Sequence, residues 1–338
     1  MIRSIRKELE QCGFGLCHPI HTSWYNSMIQ EEGLVENDTL KMLPEPSVIL
    51  GGEEKSTICH NAVLIGNTKT IWPVFLNWLA SKVNETKKDN KHFTDEEALQ
   101  QISTPFDTFV QESILQALLR CCKEHKELKS VELFWSNGKR QKLNTKQISD
   151  SATSGNVRSE ENYHCFREDE DSFLVSMQRI AVTTGEYWHD MEATKLCVHP
   201  EYGTWTAFRT VVVFDTSSNL SASTPLAPPI RSCPITGEEI KMAKTVFDYA
   251  LRMSSSEDGQ GYGTTLNKSW EELCDYLHGT VCSGSKWENV PDSMKPWIQL
   301  RDCISVGREK WKYSQEQLLY HYTRDSEILR MELDGINT

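Results

Sequence analysis

The sequence has no long apolar run, no block of positive charge and no glycine-rich phosphate loop. Its longest apolar stretches, at 61–65 and 211–214, are far too short to span a bilayer. No positive run exceeds a pair of lysines, and the formal net charge of −12 opposes contact with nucleic-acid phosphates. The cluster GFG at 13–15 lacks the spacing of a nucleotide-binding fingerprint. We therefore expect no membrane partner and no nucleic-acid partner.

The cysteine pattern does not favour a disulfide framework. The eleven cysteines are odd in number and irregularly spaced, and residues 1–11 form a charged helical pattern without the apolar centre of a signal peptide. Free thiols in a reducing, cytoplasmic compartment are therefore expected. With 338 residues, of which 38% are hydrophobic, the chain is long enough to bury a sizeable core.

Helical and extended patterns are both present, without a regular β-α-β rhythm, and this mixture favours an α+β layered architecture. The patterns predict a first helix ending near Gln11, a strand at 61–65, a helix capped by Thr104, a strand at 131–135, helical spacing over 173–181, a helix from Thr236 to about Arg252 and a last helix from Tyr313 to about Met331. Residues 138–170 show no apolar period and predict an exposed loop, and residues 217–234 predict a linker.

Cysteine and histidine occur together at three places. The groups are Cys17, His18 and His21; Cys121, Cys122 and His125; and Cys197 with His199. The first two lack the second pair of ligands that structural zinc usually takes, so core packing is the favoured interpretation. The third could be a nucleophile and its base, but no further group orients the pair. We predict no metal site and no side-chain nucleophile.

Arg209 carries the strongest signal in the sequence. If 205–214 is a strand, alternation places Arg209 on one face with Ala207, Val211 and Val213. A guanidinium buried there needs an anion, and both a protein carboxylate and a ligand carboxylate stay possible. The aromatic residues nearby suit either a core or the wall of a pocket for a large flat ligand; they are Tyr187, Trp188, Trp205 and Phe208.

The segment CVHPEYGTWTAFRTVVVF, residues 197–214, resembles the signature of the cobalamin-processing CblC (MMACHC) family. In that family Cys-Ile-His-Pro-x-Phe-Gly-Gly-Trp-Phe-Ala-x-Arg runs into an apolar strand. Other segments are similar to family segments in the same order: GFGLCHPIHTSWYNSMI, AVLIGNTKTIWPVFLNWL, TPFDTFVQESILQALL, LRDCI and KYSQEQLLYHY. A collinear set of this kind is far more specific than any one short motif.

The resemblance implies a fold, a reaction and partners. It implies one domain over residues 1–338 with a nitroreductase-like layered sheet, and loop insertions at about 138–170 and 253–296. The implied activity is removal of the upper axial ligand of cobalamins. Alkylcobalamins lose the alkyl group to glutathione, and cyanocobalamin is decyanated with electrons from FMN or FAD. An MMADHC-type protein and methionine synthase are the implied recipients of the product.

The resemblance also implies site residues. Arg209 and Arg301 match arginines that hold glutathione in the family, and Arg330 matches a third with an offset of two residues. The implied cobalamin contacts are Ser136, Phe173, Leu174, Val175, Ser176, Tyr187, Trp188, His189, Cys197 and Phe208. The cobalt and the thiol carry the chemistry in such a site, while the protein provides placement and charge.

Departures from the family pattern leave two alternatives open. The segment between His189 and Cys197 is shorter than in the family, and Ser136 stands where the family has an aspartate. A cobalamin chaperone without the chemistry is the first alternative. A flavin oxidoreductase of nitroreductase-like fold, with no affinity for corrinoids, is the second.

Overall fold

An antiparallel sheet of six strands carries the segment that contains Arg209. The computed structural model describes residues 1–35, 40–45, 61–144, 166–168, 173–216, 228, 230–255, 287–288 and 290–336. Its strands are β1 Leu16–Ile20, β2 Ala62–Asn67, β3 Leu128–Trp135, β4 Arg140–Asn144, β5 Phe166–Glu168, β6 Trp188–His189, β7 Cys197–Val198 and β8 Ala207–Thr216. The sheet has the order β1-β2-β8-β3-β4-β5, and β6 and β7 form a separate two-stranded sheet.

Helices accompany the sheet, so the predicted α+β class is confirmed. They are α1 Ile2–Gln11, α2 Thr22–Glu31, α3 Ile71–Asp89, α4 Asp95–Gln100, α5 Pro105–Glu124, α6 Met177–Thr183, α7 Gly237–Ser255, α8 Lys295–Asp302, α9 Arg308–Trp311, α10 Gln315–Thr323 and α11 Ser326–Ile336. None of the helices in the described part of the chain is both long enough and apolar enough to cross a bilayer.

Close packing groups the residues into two compact units. Unit 1 comprises Met1–Phe75, Ser103–Tyr187 and Ala207–Arg231. Unit 2 comprises Leu76–Ile102, Trp188–Thr206 and Ser232–Thr338. The implied single domain over the whole chain remains a prediction, and most of the two implied insertions lies outside the described residues.

The core of unit 1 surrounds the two central strands. Every residue of β2 is buried, and so is the run Val211–Phe214 of β8. Helix α5 adds Phe106 and Phe109, whose rings pack against Phe75 at centroid distances of 5.0 and 5.7 Å. Continuous apolar runs of this kind are typical of strands that are covered on both faces. The buried part of β8 therefore anchors the start of the strand, where Arg209 lies.

The register between β2 and β8 changes at Arg209. Ile65 pairs with Thr210 and Gly66 pairs with Phe208, so Arg209 is the additional residue of a β-bulge. A Cβ at Gly66 would lie 2.8 Å from the carbonyl oxygen of Ala207. Only glycine allows the backbones to approach this closely.

Several boundaries differ from the sequence predictions. Within 138–170, β4 and β5 form strands, so the loop interpretation is wrong for those residues; 145–165 and 169–172 lie outside the described part. The last predicted helix is two helices, α10 and α11, separated at Arg324, which has a φ of 57°. Helical structure near 173–181 begins only at Met177.

Side-chain capping explains one of the two helix starts predicted from a capping residue. Thr236 and Glu239 form the predicted capping box of α7, in which each side chain accepts a hydrogen bond from the backbone N–H of the other, at 3.2 and 2.8 Å. Thr104 does not cap α5 with its side chain, contrary to expectation. Its φ of 41° places the backbone in the left-handed region, and its hydroxyl makes no capping hydrogen bond to the described residues.

Two loops of unit 2 meet through glycine backbones. Gly203 has a φ of 58°, and a Cβ there would lie 1.9 Å from the carbonyl oxygen of Val306. Gly307 has a φ of 70°, and a Cβ there would lie 2.5 Å from the carbonyl oxygen of Glu201. Both positions therefore need glycine for conformation and for space. The contact fixes the loop that leads into Thr204 and Trp205.

Replacing Gly203 by alanine is expected to lower the free energy of unfolding by about 3 kcal/mol or more, because both backbone conformation and packing are strained. Equilibrium unfolding in urea, followed by tryptophan fluorescence, measures the change. Gly237→Ala is the matched control, since a Cβ there meets nothing within 4 Å. It should change stability by less than about 1 kcal/mol. Equal stability of Gly203→Ala and the wild type would contradict the close approach.

Candidate functional site

Arg209 in unit 1 is held by an amide and an aromatic ring. Its Nε donates a hydrogen bond to Oδ1 of Asn67 at 2.7 Å. Its guanidinium carbon lies 5.0 Å from the centre of the Phe106 ring, a favourable cation–π distance. Its backbone oxygen accepts a hydrogen bond from the N–H of Ser136 at 2.9 Å. The side chain is half-buried, and these contacts constrain the direction of the guanidinium.

The bulge modifies the predicted environment of Arg209. The strand itself is confirmed, with bounds Ala207–Thr216 instead of 205–214. However, the two-residue alternation that would place Arg209 with Val211 and Val213 is interrupted at Arg209. Bulges commonly redirect a side chain next to a functional site, and sequence alternation alone does not reveal them.

The implied cobalamin contacts in unit 1 include buried and exposed positions. Tyr187 is completely buried, and its ring packs edge-on against Phe208 at 5.1 Å and against His18 at 5.7 Å. Ser136 is exposed and directly follows β3. Tyr187 is therefore a core residue that supports Phe208, whereas Ser136 is accessible beside Arg209.

Phe173–Ser176 precede α6 and do not open it as a helical turn. The Phe173 ring lies 4.8 Å from the Phe134 ring, and Arg140 lies over it at 5.0 Å. Leu174 is 45% exposed, whereas Val175 is buried. Ser176 is the N-cap of α6, and its hydroxyl accepts a hydrogen bond from the Arg179 N–H at 3.4 Å. Of these four residues, Leu174 has the largest accessible apolar surface.

Arg301 in unit 2 joins α8 to the end of the signature loop. Its Nε and one terminal nitrogen both donate to the carbonyl oxygen of Thr204, at 3.1 and 2.8 Å. In return, the Thr204 hydroxyl donates to the backbone oxygen of Arg301 at 2.8 Å. The guanidinium carbon lies 4.7 Å from the Trp205 ring centre and 4.8 Å from that of Tyr313. Two aromatic faces and one carbonyl thus surround the cation.

The Arg301 charge has no carboxylate partner among the described residues. Burial opposes that charge, yet the phenols of Tyr313 and Tyr322 raise the pKa of Arg301 above its ordinary value. The Tyr313 hydroxyl is buried, and both its charge interaction and its proximity as a hydrogen-bonding group contribute to the raised pKa of Arg301. A desolvated cation without a counterion favours binding of an anion.

Arg330 lies on α11 in a different environment. Its Nε bonds to Glu327 at 2.8 Å, and its Nη1 bonds to Asp334 at 2.8 Å. The hydrogen bond to Glu327 raises the pKa of the guanidinium above its ordinary value. An external carboxylate would have to displace both acidic side chains, so Arg330 is less prepared for a ligand than Arg301.

The shortened hairpin of unit 2 contains three of the implied contacts. Trp188 pairs with Val198 and His189 pairs with Cys197. All three implied residues are half-buried, and Nε2 of His189 lies 3.2 Å from the Lys195 backbone oxygen. Asp190 closes the turn, because its carboxylate accepts hydrogen bonds from Ala193 and Thr194. The hairpin is short because this turn is tight.

Cys197 and His199 do not have the geometry of a nucleophile and its base. Burial raises the pKa of the Cys197 thiol, which disfavours the reactive thiolate. Nδ1 of His199 accepts hydrogen bonds from the backbone N–H groups of Glu201 and Tyr202, at 3.1 and 3.2 Å. The imidazole therefore caps a turn that leads to Gly203.

The other cysteine and histidine groups have structural surroundings. Cys17 is buried, and burial raises its pKa to about 11. Nδ1 of His21 caps α2 by accepting from the Ser23 N–H at 3.3 Å. Within the described ranges, no three His, Cys, Asp or Glu side chains are arranged to hold a metal ion.

Sequence reasoning missed three residues that shape these sites. Asn67 binds Arg209, Phe106 covers its guanidinium, and Tyr313 covers that of Arg301. Asn67 had a usable signal, since it is the polar last residue of a fully buried strand. Phe106 and Tyr313 belong to helical patterns in the sequence, and these patterns do not predict that either ring contacts an arginine.

The chain matches none of the protein-family models and none of the curated proteins. Among solved structures, it is similar to the crystal structure of a C. elegans B12-trafficking protein CblC, described as a human MMACHC homologue. That alignment has 15% sequence identity and a TM-score of 0.46, and it covers 90% of this chain and 95% of that chain. A likeness of this degree decides neither the fold family nor the activity of the present chain.

Thiol labelling should show different reaction rates for Cys197, in the signature segment, and Cys233, in the predicted linker that follows it. Cys233 is exposed, whereas burial raises the pKa of Cys197. At pH 8 we expect iodoacetamide to modify Cys233 at least about tenfold faster than Cys197, because the thiolate is the reactive form. Mass spectrometry of the tryptic peptides measures each rate separately. Comparable rates in the folded protein would contradict the raised pKa of the Cys197 thiol.

Proposed function

We propose that the protein processes cobalamins in the cytoplasm by removing their upper axial ligand. Alkylcobalamins lose the alkyl group to glutathione, and cyanocobalamin loses cyanide by reduction. In this proposal Arg209 and Arg301 bind carboxylates of glutathione, and Arg330 adds a third contact only if its acidic partners release it. The nitroreductase-like sheet implied by the same resemblance is part of the proposal.

The observation that best supports this proposal is the signature segment, residues 197–214. Its second half lies in β8, where Arg209 is the additional residue of the β-bulge. The segment resembles the CblC signature in sequence, and the matching segments elsewhere occur in the same order. Asn67 accepts from Arg209 without adding charge, and Arg301 has no carboxylate partner among the described residues. Cations prepared in this way suit a peptide with free carboxylates better than an uncharged ligand.

The proposed dealkylation transfers the alkyl group from cobalt to sulfur. The thiolate of glutathione forms a bond to the alkyl carbon, the carbon–cobalt bond breaks, and both electrons of that bond remain on cobalt. Nearby arginine favours the thiolate over the thiol and fixes the peptide, so the protein contributes charge and alignment. The thiol proton is lost to solvent before the attack.

Reduction of cyanocobalamin needs electrons that this chain does not itself supply. A reduced flavin, FMN or FAD, would donate them, and the cyanide would leave with its bonding pair. Transfer of the product to an MMADHC-type protein and to methionine synthase completes the proposed role. Both statements rest on the sequence resemblance alone.

An absorption experiment separates this function from its alternatives. Purified protein is mixed with methylcobalamin under anaerobic conditions, and spectra are recorded before and after addition of glutathione. Base-off binding followed by loss of the methyl group supports the proposal. Base-off binding without methyl loss would indicate a chaperone. A flavin-coloured protein that leaves the cobalamin spectrum unchanged would indicate an oxidoreductase without corrinoid affinity.

Arg209→Ala is expected to raise the glutathione concentration for half-maximal methyl loss at least about tenfold, since a carboxylate contact is removed. Corrinoid affinity, from the base-off spectrum, should change less than about threefold. Arg209→Lys should recover part of the loss, because charge returns without the planar fork.

Arg330→Ala is the control for Arg209→Ala, because acidic neighbours already occupy that arginine. Its effect on glutathione saturation should be the smaller of the two. Thermal unfolding of each variant establishes that the fold is intact. Unchanged glutathione saturation in Arg209→Ala would remove the role proposed for this residue.

A further inference from the structure

The hydrogen bond between Arg209 and Asn67 has a defined direction. Asn67 is almost completely buried, at 1% exposure. Its amide nitrogen donates to the Thr68 carbonyl oxygen at 3.0 Å, which directs Oδ1 towards Nε of Arg209 at 2.7 Å. The amide therefore cannot rotate without losing one of the two bonds.

Three constraints act together on the Arg209 side chain. The bulge sets where the side chain leaves β8, the Asn67 amide binds Nε, and the Phe106 ring lies against the guanidinium at 5.0 Å. A bond at Nε fixes the plane of the guanidinium, and so the direction of its two terminal nitrogens. Planar alignment is what two-point binding of a carboxylate requires.

The type of side chain at position 67 is significant. An aspartate has nearly the same size as asparagine and would attract the guanidinium through its charge, but it has no N–H to donate to the Thr68 carbonyl oxygen. It would also place a negative charge beside the guanidinium and repel an incoming carboxylate. Asparagine gives the alignment while adding no charge of its own.

We propose that Asn67 is a positioning residue, which aligns Arg209 for the carboxylate of the thiol peptide without placing a negative charge of its own beside the guanidinium. The inference rests on the proposed function for the identity of the ligand. The alignment itself rests on the contacts of Asn67. Nothing in the resemblance to the CblC family assigned a role to this residue.

The test compares three variants of unit 1. Asn67→Asp keeps the acceptor for Nε, adds a charge and loses the hydrogen bond to the Thr68 carbonyl, and Asn67→Leu removes both the acceptor and the donor. Asn61→Asp is the matched control, because Asn61 is buried just before the same strand and bonds to Thr22 instead of Arg209. Methyl loss from methylcobalamin is measured as a function of glutathione concentration, and base-off binding and thermal unfolding are measured in parallel.

Asn67→Asp is expected to raise the glutathione concentration for half-saturation about tenfold or more, with the rate at saturation within about threefold of wild type. Asn67→Leu should show a smaller increase, because alignment is lost but the charge is kept. Corrinoid binding should be unchanged in both, and Asn61→Asp should saturate with glutathione as the wild type does. Wild-type saturation in Asn67→Asp would overturn the inference.

If the wild type removes no methyl group, the proposed function fails. A second measurement then still tests the hydrogen bond between Asn67 and Arg209. The 15N–1H signal of the Arg209 Nε is assigned by its loss in Arg209→Lys, and its hydrogen exchange is compared between variants. Exchange should be at least about tenfold faster in Asn67→Leu than in wild type, because the protecting bond is absent. Equal exchange rates would overturn the alignment whatever the activity.

Discussion

The contact between Asn67 and Arg209 joins neighbouring strands at the position where their register changes. On one side of that position, the paired residues of β2 and β8 are all buried, and all except Thr210 are apolar. On the other side the chain must accommodate a permanent cation, whose burial without hydrogen bonds would be strongly unfavourable. The bulge, the close approach at Gly66 and the amide of Asn67 solve this problem together. The position and direction of the Arg209 guanidinium depend on this arrangement.

The charges of the two units are stabilised by related means. Arg209 and Arg301 each contact an aromatic face and donate Nε to a neutral oxygen, an amide in one case and a backbone carbonyl in the other. Neutral acceptors satisfy these donors without adding negative charge. Arg330, on the surface of α11, differs because two carboxylates, those of Glu327 and Asp334, neutralise its charge.

Apolar periodicity predicted the strongest elements and failed where polar residues dominate. Strands β2, β3 and β8 and helix α5 follow from continuous or periodic apolar residues, whereas α1 followed from a charged helical pattern and α7 from its capping box. Strand β4 was missed because Arg140 and Lys142 occupy one side of it, where both bond to the buried carboxylate of Glu132. The break at Arg324 had one signal, Asp325, which caps α11 by accepting from the Glu327 N–H at 2.9 Å.

For the candidate site, too, some residues could be predicted from the sequence and others could not. Motif position was sufficient to select Arg209 and Arg301, whereas Asn67 and Tyr313 act through contacts between distant parts of the sequence. Asn67 lies more than one hundred residues before Arg209, and the bulge that brings them together has no local signature. Pairing register is a property of two strands, so one strand's sequence does not specify it.

The meeting of Gly203 with Gly307 has a consequence for the order of events during synthesis. The two glycines are separated by roughly one hundred residues, and contacts at such separation form late because closing the intervening loop costs entropy. On the ribosome, Trp205 emerges well before Arg301 and Tyr313, which cover it in the finished protein. The nascent chain therefore lacks these two covering side chains of the Trp205 indole until the segment that carries them has been made.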